Sequence, residues 1–200
     1  MPDISLTDFV DFVIKSGTPK LTKVREIKNR PEYKPALDYW KQLREGLQDF
    51  HRAGGSNKTD LDRIVAAVQD PKKLGRYSTA IKGYKKFLGR KGTEWFEPAS
   101  DQWTLDELAV KINPELGLKI DATPHLIKLY FKDEAPTKHR VEIVLEMMKT
   151  VLGGRVPQNT RMAVLDVAKG KLFTQTVAIP QLTVLLEGEA AAFLRMWKAV

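Results

Sequence analysis

The feature that most constrains the fold of this chain is a change in the spacing of its apolar residues close to Gly92. Before that point, apolar side chains recur three or four residues apart, which is typical of amphipathic helices. After it, short runs alternate apolar and polar residues, as in "HLIKLYFK" at residues 125–132, which indicates a half-buried strand. The sequence therefore predicts helices followed by a region that combines strands and helices.

Four helices are predicted in the first part of the chain. Ser5 is a suitable N-cap for the first, with Asp8 three residues later as its capping-box partner. Pro35 suits the first turn of the second helix, Thr59 is a suitable cap for the third, and residues 75–89 form the fourth. The apolar face of the second helix comprises Ala36, Trp40, Leu43, Leu47 and Phe50.

The second part of the chain predicts the order β-β-β-α-β-β-α. A hairpin surrounds residues 113–117, the strand at 125–132 follows, and a helix begins after Pro136. A second hairpin turns at Gly170, and a last helix begins near Pro180. Because strands follow one another instead of alternating with helices, we predict an α+β fold in which an N-terminal helical bundle precedes a small antiparallel sheet covered by helices.

The last helix carries an apolar stripe that predicts packing against the sheet. A homodimer contact with a second copy of the chain is the alternative use of the same stripe. Its residues are Leu182, Leu185, Leu186, Ala190, Phe193, Leu194 and Trp197.

The net charge of +8 is unevenly distributed along the chain. Residues 1–92 contain 20 Lys and Arg against 11 Asp and Glu, a net charge of +9, whereas residues 93–200 contain 13 against 14, a net charge of −1. This shift predicts two regions, a basic helical region at 1–92 and an α+β domain at 95–200.

The absence of cysteine excludes disulfides and thiolate metal sites, and it fits a reducing compartment. Three aspartates interrupt the apolar residues near the N-terminus, so no signal peptide is indicated. No run approaches the roughly 18 to 20 apolar residues of a membrane span. We therefore expect a cytoplasmic protein without a membrane partner.

A basic segment at residues 71–93 contains eight cationic side chains and no acidic one. At about 100° per residue, its apolar side chains share one helical stripe, so its aromatic residues are predicted to belong to the core instead of stacking on bases. This stripe consists of Tyr77, Ala80, Ile81, Tyr84, Phe87 and Leu88. The cations are Lys72, Lys73, Arg76, Lys82, Lys85, Lys86, Arg90 and Lys91.

Three interpretations of these eight cations are open. They are a solvated helix face, a binding site for nucleic-acid phosphates, or a docking site for an acidic protein. Solvated faces usually mix both signs of charge, whereas phosphate backbones require only well-placed positive charge. We therefore predict nucleic acid as the ligand, with the protein–protein interaction or assembly module as the alternative.

The basic segment, which includes "YSTAIKGYKKFL" at residues 77–88, resembles the end of the helical core-binding domain of phage-type tyrosine recombinases. The resemblance implies a small helical bundle that grips DNA. It is confined to this window, because no Arg, His-x-x-Arg and late Tyr set follows. His139 and Arg140 are adjacent, and the last tyrosine is Tyr130.

Catalytic motifs are sparse. The usual glycine-rich phosphate loops and the Gly-x-Ser-x-Gly signature are absent, and no two of the three histidines have metal-binding spacing. Asp121 and Lys128 weakly resemble the site of PD-(D/E)XK nucleases, which would imply a metal-dependent nuclease, but Leu126 stands where that family has its second acid. We therefore expect a non-enzymatic protein without a cofactor or a metal, and a degenerate nuclease is the remote alternative.

Overall fold

The chain folds into helices and two β-sheets in this computed structural model, which describes residues 1–32, 34, 38–174 and 179–200. The predicted α+β class is confirmed. The helices are α1 (Leu6–Val13), α2 (Thr18–Lys28), α3 (Lys41–Arg52), α4 (Asp62–Ala66), α5 (Pro71–Leu88), α6 (Lys138–Leu152) and α7 (Leu182–Ala199). The strands are β1 (Asp3–Ser5), β2 (Thr93–Phe96), β3 (Asp101–Leu105), β4 (Leu108–Ile112), β5 (Leu116–Ile120), β6 (Thr123–Tyr130), β7 (Arg161–Asp166) and β8 (Lys171–Thr174).

The two sheets are mixed, whereas a single antiparallel sheet was predicted. The smaller has the strand order β1-β4-β3, and the larger has the order β2-β5-β6-β7-β8. Strand β1 is parallel to β4, and β7 is parallel to β6 because α6 carries the chain back to the starting edge of the sheet. Five strands, β2 to β6, precede α6 in the second part of the chain, where three were predicted.

Local signals explain where several helices begin. The Ser5 hydroxyl oxygen accepts a hydrogen bond from the Asp8 N–H at 3.1 Å, so the predicted cap of α1 is confirmed. Asn57 instead of Thr59 caps the 3-10 turn at Lys58–Leu61 that leads into α4. The predicted first turn at Pro35 and Ala36 lies outside the described residues.

Two hydrophobic cores lie on opposite faces of the larger sheet. Along β6 and β7, Leu126 and Val164 join one core, while Ile127 and Leu165 join the other. The first core is completed by α1, α2, α6, α7 and the smaller sheet, and the second by α3, α4 and α5. Strand β6 is therefore covered on both faces over much of its length, whereas the sequence predicted a half-buried strand.

The predicted division into regions 1–92 and 95–200 stays a prediction. Both cores nevertheless combine residues from the two regions, because α1 packs in the same core as α6 and α5 packs in the same core as β5. Strand β1 also pairs with β4, on the other side of the predicted boundary.

Helix α7 packs on α1, α2, α6 and β3 and buries most of its predicted stripe. Phe193 meets Phe12 edge to face, with 5.1 Å between the ring centroids. Leu185 was predicted for the core but is 49% exposed, because it lies on the outer side of the helix. A dimer contact through α7 stays a prediction. Among the described residues, no helix has both the length and the apolar character that a membrane crossing requires.

Candidate functional site

Helix α5 carries the basic segment and has clear start and stop signals. The Asp70 carboxylate accepts a hydrogen bond from the Lys72 N–H at 2.9 Å, Pro71 occupies the first turn, and Gly89 ends the helix with φ of 49°. The whole predicted stripe is buried, so its aromatic residues belong to the second core. These are Tyr77, Ala80, Ile81, Tyr84, Phe87 and Leu88.

Two of the eight predicted cations form ion pairs with acids from outside the segment. The Arg76 guanidinium lies 2.6 Å from the Asp133 carboxylate, and the Lys85 ammonium lies 2.6 Å from the Asp62 carboxylate. Lys85 was predicted on the same side as its lysine neighbours, but it leans towards α4, where Asp62 is located. The lack of acids within the segment therefore does not leave every cation unpaired.

The other six predicted cations form no ion pair with any described residue. Lys91 follows α5 and folds back onto its last turn, where its ammonium group donates a hydrogen bond to the Phe87 carbonyl. Lys73 lies over the Tyr39 ring, 5.4 Å from its centroid. The exposed members without an ion pair are Lys72, Lys82, Lys86, Arg90 and Lys91.

A close crossing brings the β7–β8 turn onto this helix. A Cβ atom on Gly83 would overlap the carbonyl oxygens of Val167 and Ala168, and one on Gly170 would overlap the Gly83 carbonyl. Gly170 has φ of 65°, a backbone conformation that glycine adopts easily. The missing side chains therefore let the turn lie directly on the helix.

The crossing places Lys169 beside the part of α5 that carries Lys82 and Lys86. Lys171 lies on the opposite face of the larger sheet, with its ammonium group 4.8 Å from the centroid of the Phe173 ring, which packs on the first core. The side chains of Lys82, Lys86 and Lys169 are exposed, and none forms an ion pair with a described residue. Like charges without counter-charges create a positive potential at the surface. We call this patch of Lys82, Lys86 and Lys169 the lysine surface.

Sequence reasoning predicted two of the three residues of the lysine surface and missed Lys169. Lys169 lies in the region with a net charge of −1, and the sequence shows it only as part of a hairpin turn. Its position next to Gly170 was the available signal, but its proximity to α5 depends on tertiary packing.

The histidines do not form a catalytic group with one another. His51 lies in α3, where its Nε2 atom is 2.6 Å from the Tyr84 hydroxyl, and His125 places Nδ1 2.8 Å from the Thr123 carbonyl. Burial raises the pKa of Tyr84 and lowers the pKa of His51 to about 4, so both groups are neutral and the phenol O–H donates a hydrogen bond to the imidazole. Within the described part of the chain, no three His, Asp or Glu side chains could hold a metal ion.

We expect the protein to lose stability as the pH falls from about 6.5 to about 4. In this range His51 gains a proton in the unfolded chain but not in the folded one. This difference lowers the free energy of unfolding by about 3 kcal/mol at the acidic end of the range. Burial lowers the pKa of His125 as well, which adds a contribution of the same sign. Urea unfolding across this range measures the effect, and His51→Gln should flatten the slope. An unchanged slope in this variant would contradict the assignment.

The nuclease-like pair is separated in the structure. Asp121 lies in the two-residue β5–β6 turn with φ of 48°, and its carboxylate accepts a hydrogen bond from the Gly92 N–H at 3.2 Å. Lys128 lies at the other end of this hairpin, where its ammonium group is 2.7 Å from the Glu115 carboxylate. The two residues therefore have separate structural partners and do not share a site.

No family model, curated protein or solved structure matches the chain. The interpretation of its function therefore depends on the side chains just described.

Proposed function

We propose that this protein is a non-enzymatic cytoplasmic binding protein that holds the phosphate backbone of nucleic acid on the lysine surface. The observation that carries the proposal is the proximity of three exposed lysines, from two distant parts of the sequence, without an acidic partner among the described residues. Phosphates require positive charge at suitable spacing, and lysine supplies it as a flexible point charge without reading the base sequence.

The remaining unpaired cations of α5 extend the positive surface towards both ends of the helix. Lys72 and Lys73 lie in its first turn, and Arg90 follows Gly89 at its end. A phosphate backbone that crosses the lysine surface could therefore continue along the helix. Arg76 and Lys85 form ion pairs with Asp133 and Asp62, and these pairs must open before either cation can bind a phosphate.

We expect the triple variant Lys82→Glu, Lys86→Glu and Lys169→Glu to lose most of its affinity for nucleic acid while staying folded. The three side chains are exposed and contribute little to either core. Each phosphate contact releases about 0.9 counterion from duplex DNA, so the slope of log affinity against log salt should fall by about one for each lysine. Anisotropy of a labelled oligonucleotide over a salt series measures both quantities.

A variant with the same change in net charge provides the control. Lys15, Lys149 and Arg195 are exposed, form no ion pair with a described residue, and lie on or beside helices of the first core. Their replacement by glutamate should leave nucleic-acid binding largely unchanged. Equal losses in both triple variants would show that net charge alone governs binding, and undiminished binding by the lysine-surface variant would contradict the proposal.

If the wild-type chain does not bind nucleic acid at moderate salt, this proposal fails. Docking of an acidic protein on the same surface would then be the interpretation to test.

A further inference from the structure

Two neighbouring cavities adjoin the lysine surface. They have volumes of about 460 Å³ and about 150 Å³, and the larger one lies in the range of typical ligand pockets. Five residues line both cavities, and we call the depression that they form the aromatic hollow. These residues are Trp40, Arg76, Phe131, Lys132 and Asp133.

The aromatic hollow is continuous with the lysine surface through two elements. Ala168 lines the smaller cavity and immediately precedes Lys169 in the β7–β8 turn. Thr79 lines the same cavity from α5, one helical turn before Lys82. A chain of phosphates on the lysine surface therefore passes next to the mouth of the hollow.

Three aromatic rings form a stack that ends in the aromatic hollow. The ring of Trp40 is nearly parallel to that of Tyr77, with 5.6 Å between centroids, and to that of Phe131, with 4.7 Å between centroids. Trp40 therefore stacks with both rings. Tyr77 is buried, whereas Phe131 is half-buried and lines both cavities, so Phe131 is the ring on which a further flat group could stack.

Polar groups that suit a nucleotide stand beside this ring. Arg76 and Asp133 pair across the hollow at 2.6 Å, but their side chains are 55% and 69% exposed, and such a surface pair is weak and opens readily. Once open, the guanidinium can donate hydrogen bonds to a phosphate. The carboxylate can accept hydrogen bonds from the N–H groups on a base edge.

We propose that the aromatic hollow accepts one unstacked base of single-stranded nucleic acid, which stacks on Phe131 while its flanking phosphates lie on the lysine surface. This inference rests on the proposed function and goes further, because it names the substrate class. Paired bases are stacked inside a duplex and cannot reach a hollow of this kind without being extruded. Single strands offer their bases freely to aromatic side chains.

The test compares one labelled oligonucleotide, single-stranded and annealed to its complement, at fixed salt concentration. We expect the wild-type chain to prefer the single strand. Phe131→Leu keeps an apolar side chain of similar size but removes the ring, and it should lower single-strand affinity about tenfold while leaving duplex affinity unchanged. Phe50→Leu is the matched control, because Phe50 is also half-buried against the second core but lies outside the aromatic hollow.

The outcomes separate this inference from the proposed function. If Phe131→Leu binds the single strand as the wild type does, the base-binding role is wrong, although the lysine surface can still hold phosphates. The thermal unfolding curve of Phe131→Leu shows whether this variant folds. If it does not, the inference is tested by the affinities of the wild-type chain for single strand and duplex. Equal affinity for single strand and duplex would then overturn the inference. If the lysine-surface variant loses binding and Phe131→Leu does not, the result supports the proposed function and contradicts this inference.

Discussion

Replacing Asp8 with alanine is expected to destabilise the protein by about 3–5 kcal/mol, because the substitution leaves a buried lysine without its closest carboxylate. Asp8 is 7% exposed and Lys23 is 8% exposed. The carboxylate accepts hydrogen bonds from Lys23 at 3.0 Å and from two guanidinium nitrogens of Arg30 at 2.8 Å. In the variant, the described ion-pair partner left to Lys23 is Asp11, at 3.8 Å. Urea unfolding measures the loss.

Asp3→Ala is the matched control for this prediction. Asp3 forms an ion pair with Lys111 at 2.6 Å, but the two side chains are 46% and 52% exposed. An exposed pair contributes less than about 1 kcal/mol, because water and salt screen it and the side chains lose entropy when they pair. Similar losses in the two variants would show that burial of the Asp8 network contributes little.

The pH dependence of Asp8→Ala distinguishes the lost ion pairs from lost packing. Burial tends to raise the pKa of Asp8, but the hydrogen bonds from Arg30 and Ser5 and the charge of Lys23 outweigh it, so the pKa lies well below its usual 3.8. The stabilisation is therefore present above about pH 4 and is lost as the pH falls further. The difference in stability between wild type and variant should narrow below that pH. This range lies below the pH range in which protonation of His51 changes the stability.

Helix positions in this fold follow from local signals, whereas the sheet arrangement does not. The stripe that contains Tyr77 and Tyr84 was predicted because 3.6-residue periodicity is a property of the segment itself. Strands β2 and β3 have four and five residues and no fully buried side chain, so their sequences carry little apolar signal. Strand β1 has three residues and is defined by its pairing with β4, which is distant in sequence.

The candidate site, like the sheets, could be predicted from the sequence only in part. The buried and exposed sides of α5 were predicted from its periodicity. The acid that pairs with Arg76 comes from the segment after β6, however, and the acid that pairs with Lys85 comes from α4. Phe131 belongs to the segment 125–132 that was predicted as a half-buried strand, yet its place in the aromatic hollow depends on Trp40, which lies in a distant segment. Contacts between distant segments depend on the packing of the whole chain, and local patterns do not encode them.

Gly83→Ala is expected to destabilise the protein by about 3 kcal/mol, at the upper end of what overpacking usually costs. The added Cβ would lie well under 3.0 Å from the carbonyl oxygens of Val167 and Ala168, a separation that Cβ atoms essentially never show. These atoms belong to the backbone, so no side-chain rotation relieves the overlap. The helix or the β7–β8 turn must move instead.

Gly75→Ala on the same helix is the control, because nothing lies within 4 Å of its added Cβ. Alanine has the higher helix propensity, so this variant should gain up to about 1 kcal/mol. Urea unfolding should show opposite signs for the two changes in stability. This result would separate the effect of the crossing on stability from the effect of helix propensity. Since the crossing holds Lys169 beside Lys82 and Lys86, Gly83→Ala should also weaken nucleic-acid binding under conditions where the variant is still folded. A stable variant with undiminished affinity would show that the glycine contact is not what assembles the lysine surface.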